Sequence, residues 1–315
     1  MSNKQSIYIW SSDPGTKKST SAGAFYLIAR EFLDRNKENA IVYGCAFDEN
    51  VVARHIRITN ERDLIKLQGS KYVQSKTEDV YKLIEKDLKD GKKVLFSGTA
   101  CQTLAVKNYI GSAFEHLYTI DVLCHGVPSP MFWRKYVEHL SNGVGTITDV
   151  RFRNKSKTNR MGYLLKYNLA GKEKTVYPNE SVYYQAFIDS TSLRPSCYRC
   201  PFVGDYEGSN LTIGDSNIKS FHPTEAVSLL IIRDEKGFRL FNLIIDNVES
   251  INADLDSESM INKKLVEPAQ YTAQREHFYM DEHYVQMANY SLRNRLVNRI
   301  KNMIPTFVKD SIKYR

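Results

Sequence analysis

Short apolar runs alternate along the chain with longer stretches whose apolar residues recur every three or four positions, the interleaving expected of strands and helices in one α/β fold. Residues 7–10 read as a strand, followed by a polar loop to about Ser21. Phe25, Ile28, Ala29 and Phe32 then mark one face of a helix over 23–33. Two β-rich runs, 40–47 and 51–59, flank Asp48-Glu49-Asn50, which suits a hairpin turn. Val80, Leu83, Ile84 and Leu88 predict an amphipathic helix over 75–90, with Ser75 and Glu78 as its capping box and Gly91 as its stop.

A strand at 94–96, a helix to about 110 and a strand at 118–123 predict a parallel pair joined by a crossover. Ligands gather at the carboxyl ends of strands in open parallel sheets, and Cys101 and Cys124 both fall there. A helix over 130–140 follows. Beyond Gly143 the texture turns β-rich, with strands expected at 147–152, 162–169 and 174–177 and a helix over 180–189. Strands at 211–214 and 227–233 come after a loop carrying Cys197 and Cys200. The fold class expected is α/β: a mixed, partly parallel sheet with flanking helices in 1–142, a β-rich region over 143–246 carrying the CxxC loop, and a connector with a basic amphipathic helical tail over 247–315.

Composition narrows the class. Hydrophobic residues are 42% and charged residues 25% of the 315, close to the globular average. No apolar run approaches the roughly 20 residues a membrane span needs. The N-terminal residues carry no apolar stretch of signal-peptide length, so a cytoplasmic protein is expected. The net charge is +8, but 293–315 holds seven basic residues against one acid, Asp310, so +6 of it is local. There Leu292, Leu296, Ile300, Met303, Phe307 and Ile312 recur at mostly helical spacing, interrupted at Pro305. Such a segment suits peripheral contact with an anionic membrane surface, or packing on the body with a solvated basic face. No nucleic-acid-binding motif accompanies the charge, and no nucleic acid is expected as a partner.

Five cysteines are too few and too odd in number for a secreted disulfide framework, which points to reduced thiols or a metal site. Cys197 and Cys200 form a CxxC pair followed by Pro201, half of an iron-sulfur or zinc site. Cys101 and Cys124 are the candidates for the other half, against the plainer reading of two small buried residues. Cys45, inside an apolar run, reads as a core thiol. Arg151, Arg153 and Lys155 alternate, so they offer either a phosphate-binding face or a solvated sheet face. The run 13–20 lacks the glycine a P-loop requires before its lysine, and neither GxGxxG nor GxSxG occurs.

Several motifs, in order, resemble the beta-subunit family of coenzyme F420 hydrogenases and dehydrogenases: STSAGAF (19–25), GSKYVQS (69–75), LFSGTACQ (95–102), DVLCHGVPSP (121–130), RFRNKS (151–156), LRPSCYRCPF (193–202) and LTIGD (211–215). The resemblance implies a flavin- and iron-sulfur-dependent oxidoreductase holding FAD and a [4Fe-4S] cluster. Carried over by motif position, Cys101, Cys124, Cys197 and Cys200 would ligate the cluster. Ser21, Gly23, Ser70, Lys71, Tyr72, Gln74, Gly98 and Thr99 would line the flavin pocket, with Lys71 stabilising a reduced flavin. His125 is a candidate proton donor, and Asp215 a candidate acid for flavin or substrate. Relatives commonly carry an N-terminal ferredoxin-like CxxCxxCxxxCP run, GTPCQ for GTACQ and GDFWG for the residues 214–218 here. This chain shows no such run, so an external one-electron donor such as a ferredoxin is expected. The acceptor is expected to be a small molecule or glycan precursor of surface-polysaccharide synthesis, handled beside the inner membrane. The alternative is a non-redox zinc-thiolate or degenerate member acting as a membrane-associated scaffold.

Overall fold

The computed structural model describes residues 4–111, 115–156, 159–178, 180–203, 208–216 and 218–280. The basic tail from 281 onward, with the membrane contact expected of it, lies outside them.

In chain order the elements are β1 (Gln5–Trp10), α1 (Ala24–Asn36), β2 (Ala40–Phe47), β3 (Ala53–Ile58), α2 (Leu64–Leu67), α3 (Val80–Lys89), β4 (Lys93–Thr99), α4 (Ala100–Ile110) and β5 (Leu117–Val122). Then come α5 (Pro130–Ser141), β6 (Ile147–Ser156), β7 (Asn159–Leu169), β8 (Lys172–Val176) and α6 (Val182–Ile188). The last are β9 (Leu211–Ser216), β10 (Val227–Ile232), α7 (Glu235–Asn242), β11 (Glu249–Asn252), α8 (Leu255–Ile261) and α9 (Ala273–Met280). Eight strands form one sheet in the order β11-β1-β10-β9-β5-β4-β2-β3, and β6-β7-β8 form a second, antiparallel one.

Within the large sheet β2, β4, β5 and β9 run parallel, while β3, β10, β1 and β11 pair antiparallel with their neighbours. The sheet is covered on both faces, so its strands are apolar on alternate residues of both parities. Val42, Leu95 and Ile120 face a cluster with Leu27, Ile28 and Phe32 of α1 and Leu240 and Phe241 of α7. Ile41, Tyr43, Val94 and Phe96 face α3 and α4 through Ile84, Leu88, Val106 and Ile110. The small sheet packs on α5 and α6 through Phe152, Trp133, Tyr136, Tyr183 and Tyr184, and Trp133 Nε1 donates to the Val51 carbonyl at 2.8 Å.

Three features differ from the sequence reading. The helix expected from Ser75 starts at Val80, because the Ser75 hydroxyl turns inward to His55 and Gln102 and cannot cap it. Residues 147–176 leave the main sheet, and β9 and β10 return to it between β5 and β1. Part of the expected connector is ordered structure: β11 is an edge strand on β1, and Glu258 of α8 is 2% exposed and accepts from the Tyr8 and Ser216 hydroxyls, each at 2.9 Å. Among the described residues no helix is long and apolar enough to cross a membrane.

Candidate functional site

The parallel register brings the motif residues to one edge. Thr99 at the end of β4 pairs with Val122 at the end of β5, so Cys101 and Cys124 each lie two residues beyond the same rung. Thr99 caps the N-terminus of α4, with Gln102 Oε1 accepting from both its N–H and its hydroxyl at 3.1 Å, and Thr99 Oγ1 lies 3.1 Å from Cys101 Sγ. After β5 the chain turns through Gly126, whose N–H donates to Cys124 Sγ at 3.3 Å. Gly126 has φ +114°, and a Cβ there would fall 2.7 Å from Leu193 Cδ1 and 3.2 Å from Cys197 Cβ. Glycine therefore permits the Cys124 loop and the CxxC loop to touch.

Backbone pairing fixes that contact. Pro128 and Leu193 form an antiparallel bridge, and Arg194 N–H donates to the Val127 carbonyl at 3.0 Å. A 3-10 turn over Pro195–Arg199 then presents Cys197 and Cys200. Burial pushes the Cys124 thiol up to about 12, with Cys197, Cys101 and Cys200 adding to it. Burial likewise raises Cys200, the Phe202 N–H opposing and Cys101 and Cys197 adding. The Cys124 sulfur thus lies within electrostatic reach of the other three, although among the described residues no three His, Cys, Asp or Glu side chains are gathered as for a single metal ion. Cys45 stands apart, packed against the aromatic core.

Several of the residues assigned to a flavin pocket lie on loops that hydrogen bonds join to the cysteine edge. Gly23, with φ +83°, caps α1 without a side-chain bond, and a Cβ there would lie 2.5 Å from Thr16 Cγ2. Ser21 Oγ donates to the Val227 carbonyl at 2.7 Å. Ser70 Oγ reaches Thr20 Oγ1 at 3.4 Å, joining the 69–75 loop to the 19–25 loop. Gln74 N–H donates to the Pro128 carbonyl at 3.2 Å, and Gln102 Nε2 to Ser75 Oγ at 2.9 Å, which ties the same loop to both cysteine loops. Gly98 lies against the same glutamine, since a Cβ on it would come 3.1 Å from Gln102 Oε1. Tyr72 stacks on Phe187 at 4.4 Å, and its carbonyl accepts from the Tyr183 hydroxyl at 2.6 Å.

Other assigned side chains are committed to the protein. Lys71 Nζ donates to the carbonyls of Lys66, Leu67 and Gln68, capping α2, and burial pushes it down to about 8, with Cys45 acting the other way. His125 Nε2 lies 3.0 Å from Ser190 Oγ, and burial pushes the imidazole down to about 4, so it is uncharged at neutral pH. Asp215 pairs with the buried guanidinium of Arg153, whereas Arg151 pairs across the small sheet with Glu173 at 2.6 Å. The two arginines therefore do not share a phosphate-binding face. Asp121 is 2% exposed and accepts from Ser209 at 2.6 Å, a structural role. The sequence reading missed His55 and Lys264. The former lies in an unremarkable alternating strand and the latter in a polar stretch without period, so neither carries a signal.

Residues 91–257 match the family model for the C terminus of the coenzyme F420 hydrogenase/dehydrogenase beta subunit, and all four cysteines lie within that span. No curated protein matches the chain significantly. A solved structure of the F420-reducing [NiFe] hydrogenase complex from Methanosarcina barkeri contains a similar chain, with a TM-score of 0.55 at 17% identity, covering 83% of this chain and 88% of that one. At that identity the likeness speaks for the fold. The family model covers more than half of the chain, and this protein belongs to the coenzyme F420 hydrogenase/dehydrogenase beta-subunit family.

Proposed function

We propose that the chain, an oxidoreductase-related member of this family, works as a flavin- and iron-sulfur-dependent oxidoreductase. The observation that carries the reading is that Cys101 and Cys124, each just beyond one of two adjacent parallel strands, share an edge with the CxxC loop, and that hydrogen bonds tie this edge to the 69–75 loop and that loop to the 19–25 loop. The donor set suits a cluster. Cys124 and Cys200, whose thiols burial pushes up, are held neutral without a cation, and iron would favour their ionised form. In a tetrahedral zinc site, thiolates about 2.3 Å from the ion must crowd together, whereas a cubane's own sulfides let its four ligands stand wider. Cys101 and Cys124 come from adjacent strand ends and the CxxC pair from a third segment, which suits the wider set.

Cys101, Cys124, Cys197 and Cys200 would hold the cluster. The side-chain-free N-terminus of α1 at Gly23, with the hydroxyls of Thr20 and Ser70 nearby, would take the flavin's diphosphate, since unpaired N–H groups favour an anion. Flavin and cluster together supply the exchange between one- and two-electron transfer. Lys71 and Ser21 support the pocket wall rather than reach into it, because their donors are bonded to carbonyls. The donor in this reading is an external one-electron carrier such as a ferredoxin. The acceptor is a small molecule or glycan precursor, met at a membrane surface through the basic tail.

Anaerobic purification with iron, sulfide and flavin analysis tests the reading. It expects about four irons per chain and one flavin. A colourless protein without iron, or one holding zinc and no flavin, would overturn it. Cys200→Ser should abolish electron transfer to the flavin at unchanged thermal stability if the metal serves catalysis.

A further inference from the structure

A cavity of about 310 Å³, at the small end of ligand pockets, adjoins Cys124. Its wall includes Cys124, His125, Ser190, Lys264, Gln270 and Thr272, and Cys124 is the one member of the four cysteines in it. The segment following α8 closes it, and that segment is seated by Asn262 Nδ2 donating to the Asp215 carbonyl at 3.3 Å. We infer that this cavity binds a small ligand bearing a carboxylate or phosphate group, with Lys264 as its cationic anchor. Taking that ligand for the acceptor rests on the redox reading above; the binding itself does not.

Among the described residues that line the cavity, Lys264 is the cation without an ion pair. Lys263 faces Glu267 one turn on, at 3.9 Å. Asp189 lies at the exposed end of α6. Asp215, the acid nearest in effect to Lys264, is already bonded to Arg153, whose charge also acts on the lysine. Lys264 is half-buried, and burial works against its charged form, a cost that an anion in the cavity would offset. Thr272 Oγ1 is buried without a hydrogen-bond partner, so the same wall offers a ligand an unused hydroxyl.

The test is binding of inorganic phosphate, and separately of succinate, to the anaerobically purified full chain, followed by calorimetry and by phosphorus NMR line width. At least one probe should bind saturably, which also separates the phosphate from the carboxylate source. Lys264→Gln should weaken it about tenfold or more, while Lys264→Arg and Lys263→Gln stay within about threefold. Should Lys264→Gln not fold, protection of Lys264 from acetylation by the bound probe in the unaltered protein replaces it. The inference is overturned if neither probe saturates, if Lys264→Gln binds unchanged, if Lys263→Gln loses as much, or if acetylation is not slowed. Iron and flavin are measured on the same samples. Lysine-dependent binding to a protein without them would sink the redox reading alone, and lysine-independent binding to a protein with them would sink this inference alone.

Discussion

His55 couples the sheet interior to the cysteine edge. Its ring is 5% exposed and stacks on Phe96 at 5.0 Å. Nε2 lies 2.9 Å from the Ser97 carbonyl, which can only accept, so Nε2 carries the proton and Nδ1 accepts from Ser75 Oγ at 3.1 Å. Ser75 in turn takes a bond from Gln102, the residue that caps α4 beside Cys101. Burial pushes the imidazole down to about 4, with Lys71 adding and the Ser97 bond opposing. A base depressed on folding contributes stability in full above its unfolded pKa of about 6.5 and loses it as pH falls toward the folded value. Over that window the loss amounts to about 3 kcal/mol. Urea midpoints should therefore fall between pH 6.5 and 4.5, and His55→Gln should be less stable at pH 7.5 yet show about half the pH slope. The half that remains belongs to His125, depressed in the same range; an unchanged slope would refute the assignment. Gly126→Ala places a methyl at φ +114° against Leu193, so a loss of about 1–3 kcal/mol is expected, together with a fall in bound iron.

At the scale of elements, α7 shows how one backbone contact seats a helix. Asn210 Oδ1 accepts from the Thr119 N–H and hydroxyl, and Nδ2 donates to Asp234, which caps α7 by accepting from Gly237 N–H. A Cβ at Gly237 would lie 2.1 Å from the Asn210 carbonyl oxygen. Gly237→Ala should thus cost about 3 kcal/mol or more, although alanine is the better helix former; a change within about 0.5 kcal/mol in urea unfolding would contradict the packing. The sequence reading assigns no element to 235–242, where Gly237 interrupts the helical pattern. The legible elements were those with a strong local signature: β2 as a continuous apolar run, and α5 with Ser129 bonded to the Phe132 N–H and proline in its first turn. β11 was illegible because it is exposed on every residue, so neither face carries an apolar alternation. Ser75 misled for a tertiary reason, its hydroxyl being claimed by His55 and Gln102 rather than by a helix end. In the site, spacing and strand-end position single out the four cysteines in the sequence, and the strand register puts Cys101 and Cys124 two residues beyond one rung. The commitment of Lys71 to α2 and of Asp215 to Arg153 depends on contacts across 3 and 62 residues, and no motif encodes where such a donor points.

For the whole molecule, charge divides the chain into a nearly neutral body and a basic end. Only +2 of the net +8 lies outside 293–315, so long-range attraction to an anionic surface resides in that segment. Each basic residue near an anionic leaflet contributes about 1 kcal/mol, screened beyond about 10 Å in 0.1 M salt. Seven of them with interleaved apolar residues would supply the attraction that the proposed peripheral contact needs, while the body offers no spanning helix among its described residues. The full chain should cosediment with vesicles containing phosphatidylglycerol, release as salt rises toward 0.5 M, and ignore neutral phosphatidylcholine vesicles. Ending the chain after Met280 should abolish sedimentation and leave iron, flavin and phosphate binding unchanged, because the cysteine edge and the Lys264 cavity are both built from earlier residues. If the shortened chain still sediments, attachment comes from the body. If it instead loses its iron, the basic segment packs on the thiol edge as a structural part, and its charge serves the site rather than a membrane.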